Sequence, residues 1–211
     1  MQILVPFEAT RPKTRLDEVL DADERRTFAR AMLRDVVDAC LDAGHDPTVV
    51  ATAPVSLPDA TVTVDDRSLS VAVNARLGGT DPIGVVVADL ALVTPAAVGR
   101  LVGAFDDADA DIALAPGRGG GTNGLVIDDP EFRVDFHGVS YRDHRQAAAA
   151  ADAGVAVVDS MRLSTDVDEP ADFVEVLLHG RGEASAWLRE RFELRPDTDG
   201  DGGRVGVART E

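Results

Sequence analysis

The sequence predicts an α/β domain in which a mostly parallel sheet is covered by helices on both faces. Segments typical of strands alternate along the chain with segments of helical period, which is the order found in α/β folds. Several strand segments, such as residues 83–87 and 112–115, are apolar throughout, as strands buried on both faces are. A sheet of this kind binds its ligands at the carboxyl ends of its strands.

The individual elements follow from apolar spacing and from the residues that start or stop them. Apolar residues recur at helical spacing between residues 23 and 43, and Gly44 ends that helix. Thr94 followed by Pro95 starts another helix, because threonine can cap it and proline fits its first position. The predicted strands are residues 3–5, 48–52, 61–64, 83–87, 112–115, 125–127 and 155–158. The remaining predicted helices are residues 68–77, residues 140–153 and a helix that Pro170 begins.

The length of 211 residues predicts one domain. We assign residues 1–194 to it and expect residues 195–211, which are rich in aspartate and glycine, to form a disordered tail. Aromatic residues make up 4% of the chain, which predicts an aliphatic core. No apolar run approaches the roughly 20 residues that span a bilayer, and a single cysteine, Cys40, fits a reducing compartment. These features predict a cytoplasmic protein.

The charge balance excludes several classes of partner. Acids outnumber bases by 38 to 21, and the net charge of −17 repels nucleic-acid phosphates and anionic lipid surfaces. Of the bases 20 are arginine, and of the acids 28 are aspartate. Short, strongly hydrated acids with almost no lysine stems are typical of a surface adapted to molar salt, where the Debye length is about 3 Å. We therefore expect no nucleic-acid or membrane partner.

The loop after the first predicted strand carries a local positive charge in this acidic chain. Arg11, Lys13 and Arg15 follow the first predicted strand, and Lys13 is the single lysine of the sequence. A surface that has lost every other lysine is expected to keep one for chemistry. Three cations at a strand end suit a polyphosphate. The alternative is a solvated loop whose cations pair with surface acids.

Three aspartates stand where a metal could be held against phosphate. Asp89 directly follows an apolar strand, and Asp166 and Asp168 point the same way if their segment is extended. Carboxylates at the mouth of a parallel sheet are suited to Mg²⁺. The alternative is that Asp89 is a capping residue and that Asp168 or Glu169 caps the helix begun by Pro170.

A glycine-rich segment, residues 117–124, allows close approach of a ligand to the backbone and offers amide donors to an anion. It matches neither the dinucleotide fingerprint nor a phosphate-binding loop with a following lysine. Ser140 and His144 share a face of a predicted helix, but a serine hydrolase would need a nucleophile elbow that the sequence lacks, and Ser140 is equally suited to cap that helix. The alternative for residues 117–124 is a flexible surface loop without a ligand.

Taken together, these segments resemble the 2-phospho-L-lactate guanylyltransferase family, whose motifs occur here in the same order and spacing up to about residue 178. The matching segments are residues 5–7, 12–16, 88–90, 118–123, 138–141 with His144, and 166–170. The family belongs to the MobA-like nucleotidyltransferases with a Rossmann-like sheet. The resemblance implies transfer of GMP from GTP to 2-phospho-L-lactate, giving lactyl-2-diphospho-5′-guanosine and pyrophosphate, on the archaeal route to coenzyme F(420).

The resemblance also implies roles for individual residues. Lys13, helped by Arg15, would hold the β- and γ-phosphates as the catalytic cations. Asp89 with Asp166 or Asp168 would hold Mg²⁺, with Mn²⁺ as a possible substitute, across the α-phosphate and the acceptor phosphate. The implied substrate-binding residues are Pro6, Asn74 at the guanine edge, Gly120, Gly121, Thr122, Asn123, Gly138 and Ser140. A homodimer from a halophilic archaeon, and hand-over of the product to the next transferase of the pathway, are implied as well.

The chain departs from the family pattern at three positions. The family often has a second lysine where Glu8 stands, an acid where Gly117 stands and a proline where Ala91 stands. Glu8 puts one triphosphate contact in doubt. The alternatives in function are a related nucleotidyltransferase that uses phosphoenolpyruvate or another phosphorylated small acid, and a non-catalytic nucleotide-binding protein.

Overall fold

A computed structural model describes residues 1–108, 110–196 and 205–210. Seven strands form one sheet in the order β3-β2-β1-β4-β6-β5-β7. All neighbouring pairs are parallel except those that β6 makes with β4 and β5, which are antiparallel. The strands of this sheet are β1 (Gln2–Phe7), β2 (Asp46–Ala51), β3 (Thr61–Val64), β4 (Ile83–Val86), β5 (Ile112–Pro116), β6 (Thr122–Ile127) and β7 (Val155–Val157).

Helices cover both faces of the sheet, as the sequence predicts. Successive side chains of each strand point to opposite faces of the sheet, and an apolar core lies on each face. Val5, for example, packs into one core and Leu4 into the other. The helices are α1 (Ala22–Asp42), α2 (Leu69–Asn74), α3 (Pro95–Ala108), α4 (Ser140–Ala150), α5 (Met161–Ser164), α6 (Phe173–His179) and α7 (Glu183–Arg189), with 3₁₀ turns at Thr14–Leu16 and Pro170–Asp172. The predicted fold class is confirmed, and each predicted strand and helix has a counterpart. Among the bounds that differ, β6 begins at Thr122, inside the predicted glycine-rich loop, and Pro170 begins a 3₁₀ turn that precedes α6. None of the described helices combines the length and apolar character needed to cross a bilayer.

The longest helix, α1, begins with a capping box and carries a continuous buried face. The Asp21 side chain accepts from the N–H groups of Asp23 and Glu24, and the Glu24 side chain accepts from the Asp21 N–H. On the buried face Cys40 lies fully inside the core, as predicted. This helix supports the sheet beneath β1 and β2, and so fixes the strands that lead into the functional site.

The region that packs on the outer side of α1 departs from the predicted aliphatic core. The ring of Phe28 stacks on Trp187 with centroids 5.2 Å apart and meets Phe173 edge-on at 5.5 Å. Phe173 in turn meets Phe192, at 5.2 Å. Four of the nine aromatic residues of the chain therefore meet where α6 and α7 pack on α1, and edge-on pairs of this kind add stability beyond their buried area.

The predicted disordered tail is corrected for the part of it that the structure describes. β8 (Phe192–Pro196) pairs antiparallel with β9 (Val205–Arg209) in a separate hairpin. The guanidinium of Arg209 lies over the Phe192 ring and donates to Glu24 and to the Val19 carbonyl. These contacts fasten β9 to the start of α1, a long-range effect that local composition does not reveal. Residues 197–204 and 211 lie outside the described residues.

Candidate active site

The predicted site residues converge on one edge of the sheet, where the parallel strands end. The loop after β1 carries Lys13, and Asp89 lies three residues beyond β4. Because β6 runs antiparallel, its first residues, Thr122 and Asn123, reach this same edge. The N–H of Val87, between β4 and Asp89, donates to the Asn123 carbonyl at 3.0 Å. Sheet topology therefore gathers residues that are more than 100 positions apart in the sequence.

The first group, which we call the Lys13 cluster, consists of Lys13, Arg15, Asp89 and Asp168. The Lys13 Nζ donates to Asp89 Oδ2 at 2.6 Å and to Asp168 Oδ1 at 2.9 Å. Arg15 Nη1 donates to the second Asp168 oxygen at 3.2 Å. The Lys13 side chain is only 12% exposed, whereas that of Asp168 is 41% exposed. The cluster thus has a buried cation and a more accessible rim.

The opposite charges in this cluster stabilise one another's ionised forms. Burial alone would lower the pKa of Lys13, but Asp89 and Asp168 more than offset it, and the pKa of the ammonium lies above its usual value. Burial would raise the pKa of Asp168, yet Lys13 and Arg15 hold that pKa below its usual value. Lys13 is therefore a cation and Asp168 an anion at neutral pH.

The backbone of Lys13 adopts the left-handed conformation, with φ 53° and ψ 47°. For a residue other than glycine this conformation costs on the order of 1–3 kcal/mol and persists where surrounding contacts impose it. The two carboxylates that hold the ammonium supply such contacts. The loop is therefore held at Lys13 by ion pairs with Asp89 and Asp168.

Glu8 organises the loop that carries Lys13. Its Oε1 atom accepts from the N–H groups of Thr10 at 2.7 Å and Arg11 at 3.1 Å, and from the Thr52 hydroxyl at 3.0 Å. Burial would raise the pKa of Glu8, but these donors hold it below its usual value. Where the family often has a lysine, this chain therefore has a carboxylate that folds the loop.

Asp166 forms the link to the glycine-rich segment. Its Oδ1 accepts from Asn123 Nδ2 at 2.9 Å. Between the two acids, Val167 buries its side chain in the core and donates its N–H to the Asp89 carbonyl at 3.1 Å, so that Asp166 and Asp168 both face away from the core. Burial raises the pKa of Asp166; the Asn123 hydrogen bond opposes this, and the negative charges of Asp89 and Asp168 add to it.

The capping alternatives are settled by the hydrogen bonds. Glu169 and Asp172 form the capping box at the turn that Pro170 begins, and Asp172 Oδ2 also accepts from the Asp168 N–H at 2.9 Å. This leaves the Asp168 carboxylate for Lys13, and Asp89 likewise bonds to a side chain instead of capping a helix. The acids that are predicted to bind a metal are thus the ones without a capping role.

The donor set at this edge suits a magnesium ion that is shared with substrate phosphates. Among the residues that the structure describes, no three His, Cys, Asp or Glu side chains are arranged to hold a metal by themselves. However, Asp89 Oδ1 is buried and lacks a hydrogen-bond partner within the described part of the chain. Mg²⁺ is commonly bound by one or two carboxylates plus phosphate oxygens, and not by an all-protein cage. Asp89 and Asp166 or Asp168 fit that arrangement.

The second group, which we call the His144 network, consists of Thr122, Ser140, His144 and the backbone N–H of Asp135. Ser140 Oγ accepts from the Thr122 N–H at 3.0 Å, and Thr122 Oγ1 lies 2.9 Å from His144 Nδ1. The Asp135 N–H donates to His144 Nε2 at 2.9 Å. Ser140 is the first residue of α4 but its side chain does not cap the helix. Its hydroxyl instead ties α4 to β6.

Close packing explains two glycines of the loop between β5 and β6. A Cβ at Gly117 would lie 2.7 Å from Asn123 Oδ1, so no side chain fits there while Asn123 holds Asp166. Gly120 has φ +86°, and its carbonyl accepts from the Tyr141 N–H at 3.2 Å. Gly121 and Gly138 flank the same junction of loop and α4, so the predicted acceptor residues are brought together.

A cavity of about 580 Å³ opens beside the Lys13 cluster. Pro6, at the end of β1, lies in its wall, as predicted for a substrate contact. Residues 65–69, which follow β3 and which sequence reasoning missed, also line it. Their signal was present: an Asp-Asp-Arg run directly after a predicted strand. There Asp65 accepts from Arg67 and Arg76, which holds its pKa below its usual value.

The prediction that Asn74 reads the guanine edge is corrected. Asn74 does not line the cavity. Its Nδ2 donates to the Val134 carbonyl at 2.9 Å and its Oδ1 accepts from the Val134 N–H at 2.9 Å. The amide therefore pins the segment around Val134 to α2, because both of its ends are satisfied by one backbone unit.

Solved structures share the fold of this chain. A putative nucleotide-diphospho-sugar transferase from Desulfovibrio desulfuricans G20 aligns with a TM-score of 0.71 over 90% of this chain and 94% of its own, at 19% identity. The 2-C-methyl-D-erythritol 4-phosphate cytidylyltransferase from Thermus thermophilus aligns with a TM-score of 0.54 over 89% and 98%, at 16% identity. At these identities the similarity shows the fold, which is the one that nucleotidyltransferases such as this cytidylyltransferase share.

Sequence comparison shows the family. Residues 1–210 match the family model described as guanylyl transferase CofC like, and the chain belongs to this family of nucleotidyltransferases. A protein from Halomicrobium mukohataei named 2-phospho-L-lactate guanylyltransferase is 59% identical over 90% of this chain and 91% of its own length. One of the same name from Haloterrigena turkmenica is 55% identical over 100% and 98%. Most of the relatives are from halophilic archaea, in line with the salt-adapted composition.

Proposed function

We propose that this chain transfers GMP from GTP to 2-phospho-L-lactate and releases pyrophosphate. The observation that carries the proposal is the Lys13 cluster, which stands between a cavity of about 580 Å³ and the Asn123–Asp166 pair. That arrangement puts the cations for a triphosphate next to carboxylates that are linked, through Asp166 and Asn123, to the residues proposed for the acceptor. The relatives named for this reaction, at 50–59% identity, supply the identity of the two substrates.

The bond changes are those of a single displacement. An oxygen of the acceptor phosphate attacks the α-phosphorus of GTP, a new phosphorus–oxygen bond forms, and the bond to the bridging α,β oxygen breaks with release of pyrophosphate. No covalent enzyme intermediate is needed. Both reactants are anions, so the chain's task is to neutralise charge and to align the two groups.

Lys13 and Arg15 are placed to receive the β- and γ-phosphates. In the structure Lys13 neutralises Asp89 and Asp168, and phosphate oxygens arriving with their own charge can take over this cation. The carboxylates that Lys13 releases then become available as ligands. Mg²⁺, or Mn²⁺ in its place, would supply Lewis-acid neutralisation at the α-phosphate and acceptor phosphate, held by Asp89 and by Asp166 or Asp168.

The acceptor is proposed to bind at the junction of β6 and α4. Thr122 and Ser140 have buried hydroxyls there, Asn123 fixes Asp166 beside them, and the glycines at 120, 121 and 138 would let an anion approach the backbone. The carboxylate and phosphate of a small phospho-acid need several donors of this type. Residues 65–69, which line the same cavity as Lys13, would face the nucleoside.

The family resemblance also supports a cytoplasmic homodimer that hands lactyl-2-diphospho-5′-guanosine to the next transferase of the coenzyme F(420) route. Light scattering coupled to size-exclusion chromatography in molar KCl would measure the assembly. A dimer mass is expected, and a monomer mass at micromolar concentration would contradict this part of the proposal.

The function is tested with GTP labelled at either the α- or the γ-phosphorus, in molar KCl with Mg²⁺. With 2-phospho-L-lactate present, the α label is expected in a new product and the γ label in pyrophosphate, in equal amounts. Label in GMP, or GTP consumption independent of the acceptor, would show hydrolysis instead. Phosphoenolpyruvate and 3-phosphoglycerate run in parallel decide between acceptors, since either one outperforming 2-phospho-L-lactate would overturn the proposed substrate.

A further inference from the structure

His144 is a buried titratable residue to which the proposed mechanism gives no role. His144 is 1% exposed and lies on the buried face of α4. The imidazole lies against two phenylalanine rings, with centroid distances of 5.3 Å to Phe136 and 6.0 Å to Phe132. Burying a polar ring costs free energy unless its nitrogen atoms are hydrogen-bonded, whereas an apolar residue at this position would carry no such cost.

The hydrogen bonds of His144 fix its tautomer. A backbone N–H can only donate, so the Asp135 N–H makes Nε2 an acceptor. The neutral ring must then carry its proton on Nδ1, which donates to Thr122 Oγ1 at 2.9 Å. Burial lowers the pKa of His144 to about 4, against a weaker opposing effect of Asp135 and Asp143, so the ring is neutral at neutral pH. The direction of the bond to Thr122 is therefore determined.

This direction has a consequence for two hydroxyl groups. Thr122 Oγ1 accepts from His144, and Ser140 Oγ accepts from the Thr122 N–H at 3.0 Å. With an acceptor position of each oxygen occupied by a protein donor, each hydroxyl keeps its own proton for another partner. Both residues are buried, with 2% and 3% of their surface exposed, where β6 meets α4 and beside the loop containing Gly120 and Gly121. Two hydroxyl donors there suit an oxyanion.

We propose that His144 is a positioning residue that fixes the Thr122 hydroxyl as a hydrogen-bond donor to the phosphate or carboxylate of the acceptor substrate. The inference deepens the proposed function and rests on the acceptor lying at the β6–α4 junction. His144 does not touch the substrate. It acts through Thr122, and its effect is confined to the acceptor because the Lys13 cluster shares no member with the His144 network.

The first test replaces His144 by phenylalanine, which fills the space among Phe132 and Phe136 but has no N–H, and by glutamine, whose amide can both donate and accept. His144→Phe is expected to raise the KM for 2-phospho-L-lactate at least tenfold and to leave the KM for GTP within twofold. His144→Gln should recover most of the loss. His179→Phe, on the exposed side of α6, is the matched control and should change neither constant.

A second pair of variants keeps the inference testable if His144→Phe does not fold. Thr122→Val removes the hydroxyl and should reproduce the rise in acceptor KM, whereas Thr122→Ser should retain most of the activity. Combining Thr122→Val with His144→Gln should add little, because both changes act on one hydrogen bond. Equal effects on both substrates, or an unchanged acceptor KM in Thr122→Val, would overturn the inference.

Failure of the proposed function is distinguishable from failure of this inference. If the wild-type protein consumes no GTP with any phospho-acid, the proposed function fails. Calorimetric titration of 2-phospho-L-lactate and of inorganic phosphate then decides the inference, which requires tighter binding by the wild type than by Thr122→Val. Equal binding by the two proteins would contradict it. An independent readout is the ¹⁵N spectrum of His144, where a tautomer protonated at Nε2 would also contradict it.

Discussion

The Lys13 cluster and the His144 network lie at the same sheet edge but are built on opposite principles. The first consists of charges that neutralise one another, with Asp168 41% exposed at its rim. The second is neutral and buried, and the direction of its bonds is set by the backbone N–H of Asp135. Ion pairs near solvent can exchange partners with an arriving phosphate, whereas a buried network with fixed donors cannot rearrange at low cost.

Under the proposed function, this one edge of the sheet serves two anionic substrates. The triphosphate brings enough charge to compete for Lys13, so its site can be closed by internal ion pairs until it arrives. A small phospho-acid offers fewer contacts, and donors already oriented toward it reduce the cost of ordering. We therefore expect changes in the two regions to affect different substrates and by different amounts.

The largest effect is expected at the carboxylate next to Lys13. Asp89→Asn removes the charge of the buried oxygen that has no partner within the described chain and weakens the contact with Lys13. Loss of one metal ligand should cost several kcal/mol in the transition state, or about 10³-fold in kcat/KM measured by pyrophosphate release. Asp46→Asn, at the opposite end of β2, is the matched control. Activity of Asp89→Asn within a few-fold of the wild type at saturating Mg²⁺ would remove this residue from the metal site.

An intermediate effect is expected where the loop of Lys13 is folded. Glu8→Ala removes the acceptor shared by Thr10, Arg11 and Thr52, and should raise the KM for GTP about tenfold, since three hydrogen bonds of about 1 kcal/mol each are only partly replaced by water. The acceptor KM should not change. Glu8→Gln, which keeps the accepting oxygen, serves as the control and should behave nearly as the wild type. A tenfold rise in Glu8→Gln as well would point to a role of the charge itself.

The smallest effect concerns stability and separates the His144 network from the ion pairs. Because the pKa of His144 is lowered to about 4 in the folded protein, the unfolded chain takes up the proton first as the pH falls. The contribution of His144 to the free energy of unfolding is therefore fully present above pH about 6.5. The free energy of unfolding should fall by about 1–2 kcal/mol between pH 7 and pH 5. Denaturant unfolding in molar KCl would measure it against His144→Gln. Parallel pH curves for the two proteins would show that His144 does not titrate in this way.

The two regions also differ in how far the sequence reveals them. The Lys13 cluster was predictable because each member carries a local signal: the single lysine in a chain of net charge −17, and acids directly after an apolar strand or before a helix. Its ion pairs span up to 155 positions, yet the predicted fold places ligand-binding residues at the carboxyl ends of the strands, which is the edge where these residues meet.

The His144 network and the role of Asn74 were not predictable in this way. Both depend on the irregular segment around residues 132–136, which lies against α2 and α4 without periodicity of its own. A lone histidine on a helix face has many possible roles until its partners are known. The hairpin of β8 and β9 is similar, since its composition indicates disorder while Arg209 binds residues more than 180 positions earlier.

The division of labour between the two regions is tested most directly by measuring both Michaelis constants in Lys13→Met and Ser140→Ala. Lys13→Met leaves Asp89 and Asp168 facing the phosphates without their cation, and should raise the KM for GTP more than tenfold with the acceptor KM within threefold. Ser140→Ala removes a donor to a charged acceptor group, a loss of about 1.5–3 kcal/mol, and should do the reverse. If each variant raised both constants to the same extent, the account of two separate substrate regions would be contradicted.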